Sequence, residues 1–343
     1  MKQKIFVAGV WGFGNRSIMD QFSDDDTVEF LKYDFTYFHQ MAKVWKFIRH
    51  RLGGRGASIL RWLLKTKIFD GKYALSHCDY AANDKNYVVI FNSALLQYYS
   101  REYFLRLKRK NPNIKYILYI IDPMPDGLWP EIKDTIDIFD DVMTIHPYNC
   151  RRYGFQYLPY IYAKPGDTEP VSAIEKTNLF FCGVSGDHRQ AIISEIVSQC
   201  EKKRIAFDFW LKPYGNNAID NTHVHYGEMS YTENVQRLKQ ADCILEIMHE
   251  GFEGITQRYL EAIIYNKKLL TNNAEIMQLP YYDPRYMHYF KRVADIEWDW
   301  LQDTQKVDYQ YKGDFSPEAW KHNLLQMMEA EEKRLERDAE ADQ

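Results

Sequence analysis

The chain has 343 residues, 45% of them hydrophobic and 27% charged, with a formal net charge of −4 at pH 7. That length exceeds one ordinary core and implies two domains of about 150 residues each, and the composition excludes a disordered chain. The near-balanced charge gives no global nucleic-acid signal, and no apolar run reaches the roughly 18 residues of a membrane span.

The N-terminus enters a strand directly, without a signal-peptide pattern. Cys78, Cys150, Cys182, Cys200 and Cys243 are scattered without C-x-x-C spacing, so free thiols in a reducing cytoplasm are expected. Lys4–Val10 is an apolar strand that runs into a turn carrying Gly9, Gly12 and Gly14. The spacing is G-x-x-G-x-G, not the G-x-G-x-x-G of a dinucleotide fingerprint. A structural turn, a nucleotide turn with Asp34 as the ribose acid, and an acceptor-binding turn at Gly12 and Gly14 all remain open. Asp24-Asp25-Asp26 contains a D-x-D, but in a polar turn before the second strand, Thr27–Tyr33, where a solvated charge run is the reading.

Phe35–Phe69 contains no acidic residue. It carries Lys43, Lys46, Arg49, Arg51, Arg55, Arg61, Lys65 and Lys67, interleaved with Trp45, Trp62 and aliphatic side chains. A basic, Trp-bearing amphipathic stretch reads as a patch for an anionic membrane surface. Core helices with snorkelling cations, or an acidic protein partner, are the alternatives. Tyr87–Phe91, Ile114–Ile121 and Asp141–Ile145 then read as strands, followed by a helix at Tyr148–Tyr153 and a short strand at Tyr157–Ile161. Such alternation predicts a parallel sheet. Asp122 ends the run Ile114–Ile121, where a carboxylate faces the ligand crevice of such a sheet. It is a candidate base or sugar-hydroxyl acceptor; a turn former before Pro123 is the other reading. His146 also ends a strand, and is read as structural.

Pro159–Lys176, with three prolines and a glycine, is the expected interdomain linker. The pattern then restarts: strand Leu179–Val184, helix Gln190–Lys202, strands Phe207–Leu211 and Val224–Tyr226, helix Thr232–Gln240. In the turn from Gly183 to Arg189 the glycines permit a close backbone approach. The next helix aims its N-terminus there, and Arg189 adds a charged donor, which together suit a pyrophosphate. An ordinary strand–helix turn is the bland alternative. His223 and His225 lack a third ligand at metal spacing, and no metal is implied. Cys243–Ile247 is a strand, His249–Gly254 a polar loop, Thr256–Tyr265 a helix and Lys268–Thr271 a strand. A last helix starts near Pro317, capped by Ser316.

The loop and helix read E-G-I-T-Q-R-Y-L-E-A over Glu253–Ala262. This segment resembles the GT-B glycosyltransferases, especially the retaining enzymes with a Glu-x7-Glu signature, as encoded for bacterial capsule, exopolysaccharide or lipopolysaccharide synthesis. The resemblance implies an α/β fold of two Rossmann-like domains facing across a cleft. Residues 1–165 and a C-terminal helix at about 316–343, crossing back, would form the acceptor domain, and residues 172–312 the nucleotide-sugar domain. It implies that Glu253 contacts the donor sugar and Glu261 the ribose. Gly183, Arg189, Gly254, Thr256 and Arg258 would surround the diphosphate, with Glu253 and Asp122 as catalytic candidates. Both glutamates are expected at the cleft surface, not in the core. Ile255-Thr256-Gln257-Arg258 is more polar than the family's usual apolar stretch.

The implied activity is transfer of a sugar from a nucleoside diphosphate donor, such as a UDP- or GDP-sugar, to a saccharide or lipid-linked acceptor. It would be retaining and without metal or other cofactor. The family's lipid-linked acceptors favour the membrane reading of the basic patch (Lys43, Trp45, Lys46, Arg49, Arg51, Arg61, Trp62, Lys65), on the inner face of the cell membrane. The rival expectations are a sugar-nucleotide epimerase of the same fold and a non-catalytic subunit that binds a partner glycosyltransferase.

Overall fold

Parallel strands require crossover connections, which place helices on both faces of a sheet, and both halves of this chain are built in that way. The computed structural model describes residues 3–9, 15–31, 75, 78, 80, 85–91, 95–96, 99–122, 124, 127–165, 174–212, 219, 221–248, 254–303 and 305–341. The chain divides into two units, residues 1–12, 22–145 and 149–157, and residues 13–21, 146–148 and 158–343.

The first unit holds β1 (Gln3–Ala8), β2 (Val28–Phe30), β3 (Lys85–Ile90), β4 (Ile114–Ile120), β5 (Asp141–Thr144) and β6 (Gln156–Tyr157). They pair in parallel in the order β2-β1-β3-β4-β5-β6. Phe6, Val88, Ile90, Tyr116, Leu118 and Ile120 alternate along three strands and bury one face of the sheet, as the period of two requires. α1 (Asn15–Gln21) follows the first strand, and the helix α2 (Arg101–Lys110) was not expected from the sequence. Ser100 caps α2 by accepting from Tyr103 N, and Tyr103, Phe104 and Leu107 pack into the same cluster. α3 (Pro130–Lys133) and α4 (Pro147–Tyr153) flank β5 in sequence.

The second unit holds β7 (Thr177–Val184), α5 (Asp187–Lys203), β8 (Phe207–Lys212), β9 (Val224–Tyr226), α6 (Tyr231–Gln240), β10 (Ala241–Glu246), α7 (Gln257–Ile264), β11 (Lys268–Thr271) and β12 (Met287–Tyr289). α8 (Trp298–Gln302) and α9 (Pro317–Ala341) follow. The sheet order β12-β11-β10-β7-β8-β9 is all parallel. This is the doubly wound Rossmann order, and it reverses between β7 and β10, the point where such sheets bind ligands. Leu179 and Phe181 face one layer, with Ile193, Ile196, Val197 and Cys200 of α5 at helical spacing. Phe180 and Ile244 face the other, with Tyr259, Leu260 and Ile263 of α7. Each such side chain contributes about 1.5–3 kcal/mol when fully buried.

Two Rossmann-like domains in one chain make the GT-B fold. α9 groups with the second unit, whereas the resemblance assigned it to the first. Among the described residues no helix is long and apolar enough to cross a membrane. Gly12, Gly14, Asp34, Glu253 and the whole basic stretch Phe35–Phe69 lie outside the described residues.

Candidate functional site

The carboxyl end of β7 turns through Ser185 and Gly186 into α5, a helix of 17 residues whose N-cap, Gly186, supplies no side-chain cap. Gly186 thus leaves the first N–H groups without an N-cap side-chain acceptor, at the positive end of the helix dipole. Arg189 lies in the first turn. Its Nη1 donates to the Val184 carbonyl at 3.3 Å, while its buried Nε has no partner. Burial lowers the pKa of this guanidinium, and Glu246 and Arg258 are the charges that act on it. A partly buried cation with an unused donor beside a helix start is poised for an anion.

The neighbouring strand β10 ends in Glu246, 3% exposed. Its two carboxylate oxygens accept from the hydroxyls of Thr256 and Thr271. Those hydroxyls in turn accept from Tyr259 N at 3.2 Å and Asn273 N at 2.9 Å, so each hydroxyl proton is committed to Glu246. Thr256 is thus the N-cap of α7 and a clamp on β10 at once. Gly254, at φ +94°, makes the turn that delivers the chain to this cap, a conformation that favours glycine. Its carbonyl accepts from Asn273 Nδ2 at 2.9 Å.

Burial raises the Glu246 pKa against the pull of both hydroxyls, Arg258 and Arg189. A carboxyl that binds its proton more tightly when folded leaves the native state with more protons than the unfolded one. Stability must then fall as pH rises from about 4.5, the ordinary value, towards the raised one. Glu246→Gln removes that ionisation. The Tm of the parent relative to this variant is expected to decline over that window in a Tm–pH series; a flat difference would show that Glu246 ionises as freely in the fold as in water.

α7 carries two of the expected residues, Arg258 and Glu261, but not as expected. Glu261 is 0% exposed, a core carboxylate and not a cleft one. It accepts from Arg258 Nη1, from Gln257 Nε2 at 3.0 Å and from Asn234 Nδ2 at 3.4 Å. Arg258 also donates through Nη2 to the Cys182 carbonyl at 2.6 Å, tying α7 to the end of β7. Glu261 holds the Arg258 pKa up against its burial. That pairing resolves the conflict of a cation in the first turn of a helix, where the dipole disfavours it.

A pocket of about 240 Å³ opens at the ends of β7, β8 and β9 and the starts of α6 and α7. Cys182, Trp210, Met229 and Tyr231 give it apolar and aromatic walls, and Asn234, Gln257 and Arg258 its polar side. Gly183 lines it, whereas Glu261 and Arg189 do not. Trp210 is held by three side chains. His225 stacks on it at 4.6 Å and Arg237 lies 4.5 Å from its ring centre. Asp208 accepts from its Nε1 at 2.8 Å and from Arg237 Nη1 at 2.9 Å. Ser230 caps α6 by accepting from Glu233 N at 3.1 Å, setting Tyr231 and Asn234 at the pocket. The sequence reading singled out none of Trp210, Met229, Tyr231, Asn234 or Glu246. Asn234 had a signal: it shares the buried stripe of α6 with Val235 and Leu238, and a buried polar residue there needs a partner.

In the first unit, Asp122 follows β4 and is half-buried, and its backbone carbonyl accepts from Asn149 Nδ2 at 3.4 Å. His146 is buried. All five cysteines are free thiols, and burial raises the pKa of each, which makes them poor nucleophiles. Among the described residues no group of three or more His, Cys, Asp or Glu side chains is placed to hold a metal ion.

No family model matches the chain, and no curated protein matches it in sequence. Its fold is similar to that of a protein from Listeria monocytogenes assigned as a UDP-N-acetylglucosamine 2-epimerase. The TM-score is 0.54 at 9% identity, over 97% of this chain and 98% of that one. An alpha-glucosyltransferase in complex with UDP and DNA gives a TM-score of 0.47 at 12% identity, over 98% and 91%. The trehalose 6-phosphate synthase of Burkholderia multivorans gives 0.44 at 10%, over 79% and 84%. The first of these likenesses extends the two-domain fold over nearly the whole chain.

Proposed function

We propose that the chain is a glycosyltransferase that takes a sugar from a nucleoside diphosphate donor, retaining its configuration, for a saccharide or lipid-linked acceptor of bacterial surface polysaccharide synthesis. The observation that carries the reading is the site at the β7–β10 reversal. An uncapped helix start and the unpartnered Nε of Arg189 lie in the unit whose pocket has the mixed apolar and polar walls of a nucleoside site. Gly183, Arg189, Gly254, Thr256 and Arg258 are the proposed diphosphate neighbourhood, and Glu253 stands against the donor sugar. Asp122 is proposed to orient or deprotonate an acceptor hydroxyl, with Gly12 and Gly14 on the acceptor side. Catalysis would be electrostatic assistance to nucleotide departure, and needs no metal.

A thermal-shift panel of nucleoside diphosphates and sugar nucleotides tests the site, because a ligand bound only by the folded state raises Tm. Binding of at least one is expected; silence across the panel would refute the reading. Glu253→Gln is expected to lower kcat more than it raises KM, since contacts at the reacting sugar tighten as charge develops. Equal kcat in parent and variant would remove Glu253 from catalysis.

A sugar-nucleotide epimerase is the second reading, favoured by the assignment of the Listeria protein whose fold matches throughout. Both readings need a sugar nucleotide in the second unit, and the products separate them. A transferase releases the nucleoside diphosphate; an epimerase returns an intact sugar nucleotide with an altered ring.

The sequence of Phe35–Phe69 supports docking of the first unit on anionic membrane. Liposome flotation is expected to recover the protein with anionic vesicles and to lose it as salt rises, since each surface cation contributes only about 1 kcal/mol and is screened. Equal recovery with neutral vesicles, or none with either, would overturn the docking.

A further inference from the structure

A carboxylate that receives the paired hydroxyls of a ribose must be reachable and must have lone pairs to spare. Glu261 has neither. It is enclosed, and it is occupied by Arg258, Gln257 and Asn234. All three of those side chains line the pocket, so Glu261 acts behind them. It fixes the Arg258 fork, and it sets both amides with their N–H groups inward, because an ionised carboxylate only accepts. Releasing Glu261 to a ligand would strand the Arg258 charge.

Glu228 has both properties. It follows Gly227 on the loop after β9, lines the same pocket, and is 76% exposed. Among the described residues its ion-pair partner is Lys212 Nζ at 2.7 Å, itself 55% exposed. Lys212 holds the Glu228 pKa below its ordinary value, so the carboxylate is ionised at neutral pH. An exposed pair of this kind contributes little and is readily exchanged. The two partners are carried by neighbouring strands, and both line the pocket. Lys212 ends β8 opposite Val184 in the sheet register, and its carbonyl accepts from Ser185 N at 3.0 Å and Ser185 Oγ at 3.2 Å. Its backbone is thus fastened to the turn that leads into α5 and Arg189. Glu228 sits on the β9 side, where Gly227 N donates to the Leu211 carbonyl at 3.0 Å.

We infer that Glu228, not Glu261, accepts from the ribose hydroxyls of a bound nucleotide, and that Lys212 leaves Glu228 for the phosphates as the ligand enters. The inference rests on the nucleotide reading above and adds to it the residues that recognise the sugar of the nucleotide. The two polar rim residues then serve opposite ends of one ligand, while Glu261 remains a positioning residue.

The test is calorimetric binding of UDP, GDP, ADP and CDP and of their 2′-deoxy counterparts to the full chain. The parent is expected to bind its preferred ribonucleotide about tenfold or more tightly than the deoxy form, the loss of one charge-assisted hydrogen bond. In Glu228→Gln that ratio is expected to fall to about threefold or less, a neutral hydrogen bond in place of a charged one. Lys212→Met is expected to weaken diphosphate binding while leaving the ribose/deoxyribose ratio in place. Circular dichroism and Tm report that these exposed-site variants are folded. A ratio that survives in Glu228→Gln would overturn the assignment, as would a parent that binds both forms alike. Failure of every diphosphate to bind the parent would instead overturn the nucleotide reading itself, and this inference with it.

Discussion

Glu261→Gln is expected to lower Tm sharply as well as to weaken ligand binding. Glu261 is 0% exposed and the Arg258 side chain only 19% exposed, so the variant leaves a largely buried guanidinium without its counter-charge. Breaking a buried pair by removing one partner costs about 3–5 kcal/mol. Because Arg258 retains the Cys182 carbonyl and some contact with solvent, about 3 kcal/mol is the expected loss. For a unit of this size that corresponds to roughly 6–12 °C. The double variant Glu261→Leu/Arg258→Met removes both charges together, and is expected to recover most of the loss, since a buried pair and a well-packed apolar replacement are often near equal. Binding should not recover with it, because Gln257 and Asn234 lose the acceptor that orients them and the pocket loses the Arg258 guanidinium. Unchanged Tm in Glu261→Gln would mean that the pair contributes nothing. Recovery of binding in the double variant would mean that Glu261 does not organise the pocket.

Some elements of this fold carry a local sequence signal and others do not. β4 and β7 were legible because a strand covered on both faces is a nearly continuous apolar run, and Ile114–Ile120 and Leu179–Cys182 are such runs. α5 is legible as a helix from Gln190, but its first three residues are not, because a glycine N-cap has no side-chain signal. α2 was missed although Ser100 and the spacing of Tyr103, Phe104 and Leu107 announce it; a cluster of aromatic residues reads equally as strand. The surroundings of Glu261 could be read only in part. Arg258 and Gln257 precede it by three and four residues, within reach on one helix, so the pairing was available from spacing. Asn234 comes from α6, 27 residues upstream, and no local pattern announces that contact. The Gly183–Arg189 turn is legible as a strand-to-helix turn because its pattern is local: a strand end, glycines and a helix start with one cation.

Arg189 separates function from structure by the sign of two measurements. Its Nε is buried without a partner, its one hydrogen bond among the described residues runs to the Val184 carbonyl at 3.3 Å, and burial lowers its pKa. The folded state therefore bears a cost for burying this cation with an unsatisfied Nε. Arg189→Met keeps much of the apolar stem and removes the charge. Its expected effect on the free protein is an unchanged or slightly raised Tm. A diphosphate would meet the guanidinium and the first N–H groups of α5 together, and the charged hydrogen bond is worth about 1.5–3 kcal/mol. Affinity is accordingly expected to fall by roughly 10- to 150-fold, with most of the loss confined to phosphate-bearing ligands, so that the corresponding nucleoside binds parent and variant alike. Binding series of nucleoside, nucleoside monophosphate and nucleoside diphosphate read this directly. The loss should grow along the series if Arg189 meets the diphosphate. Equal weakening of all three would instead mark a change in the shape of the pocket, and a large drop in Tm with no change in affinity would make Arg189 a structural cation of the β7–α5 turn.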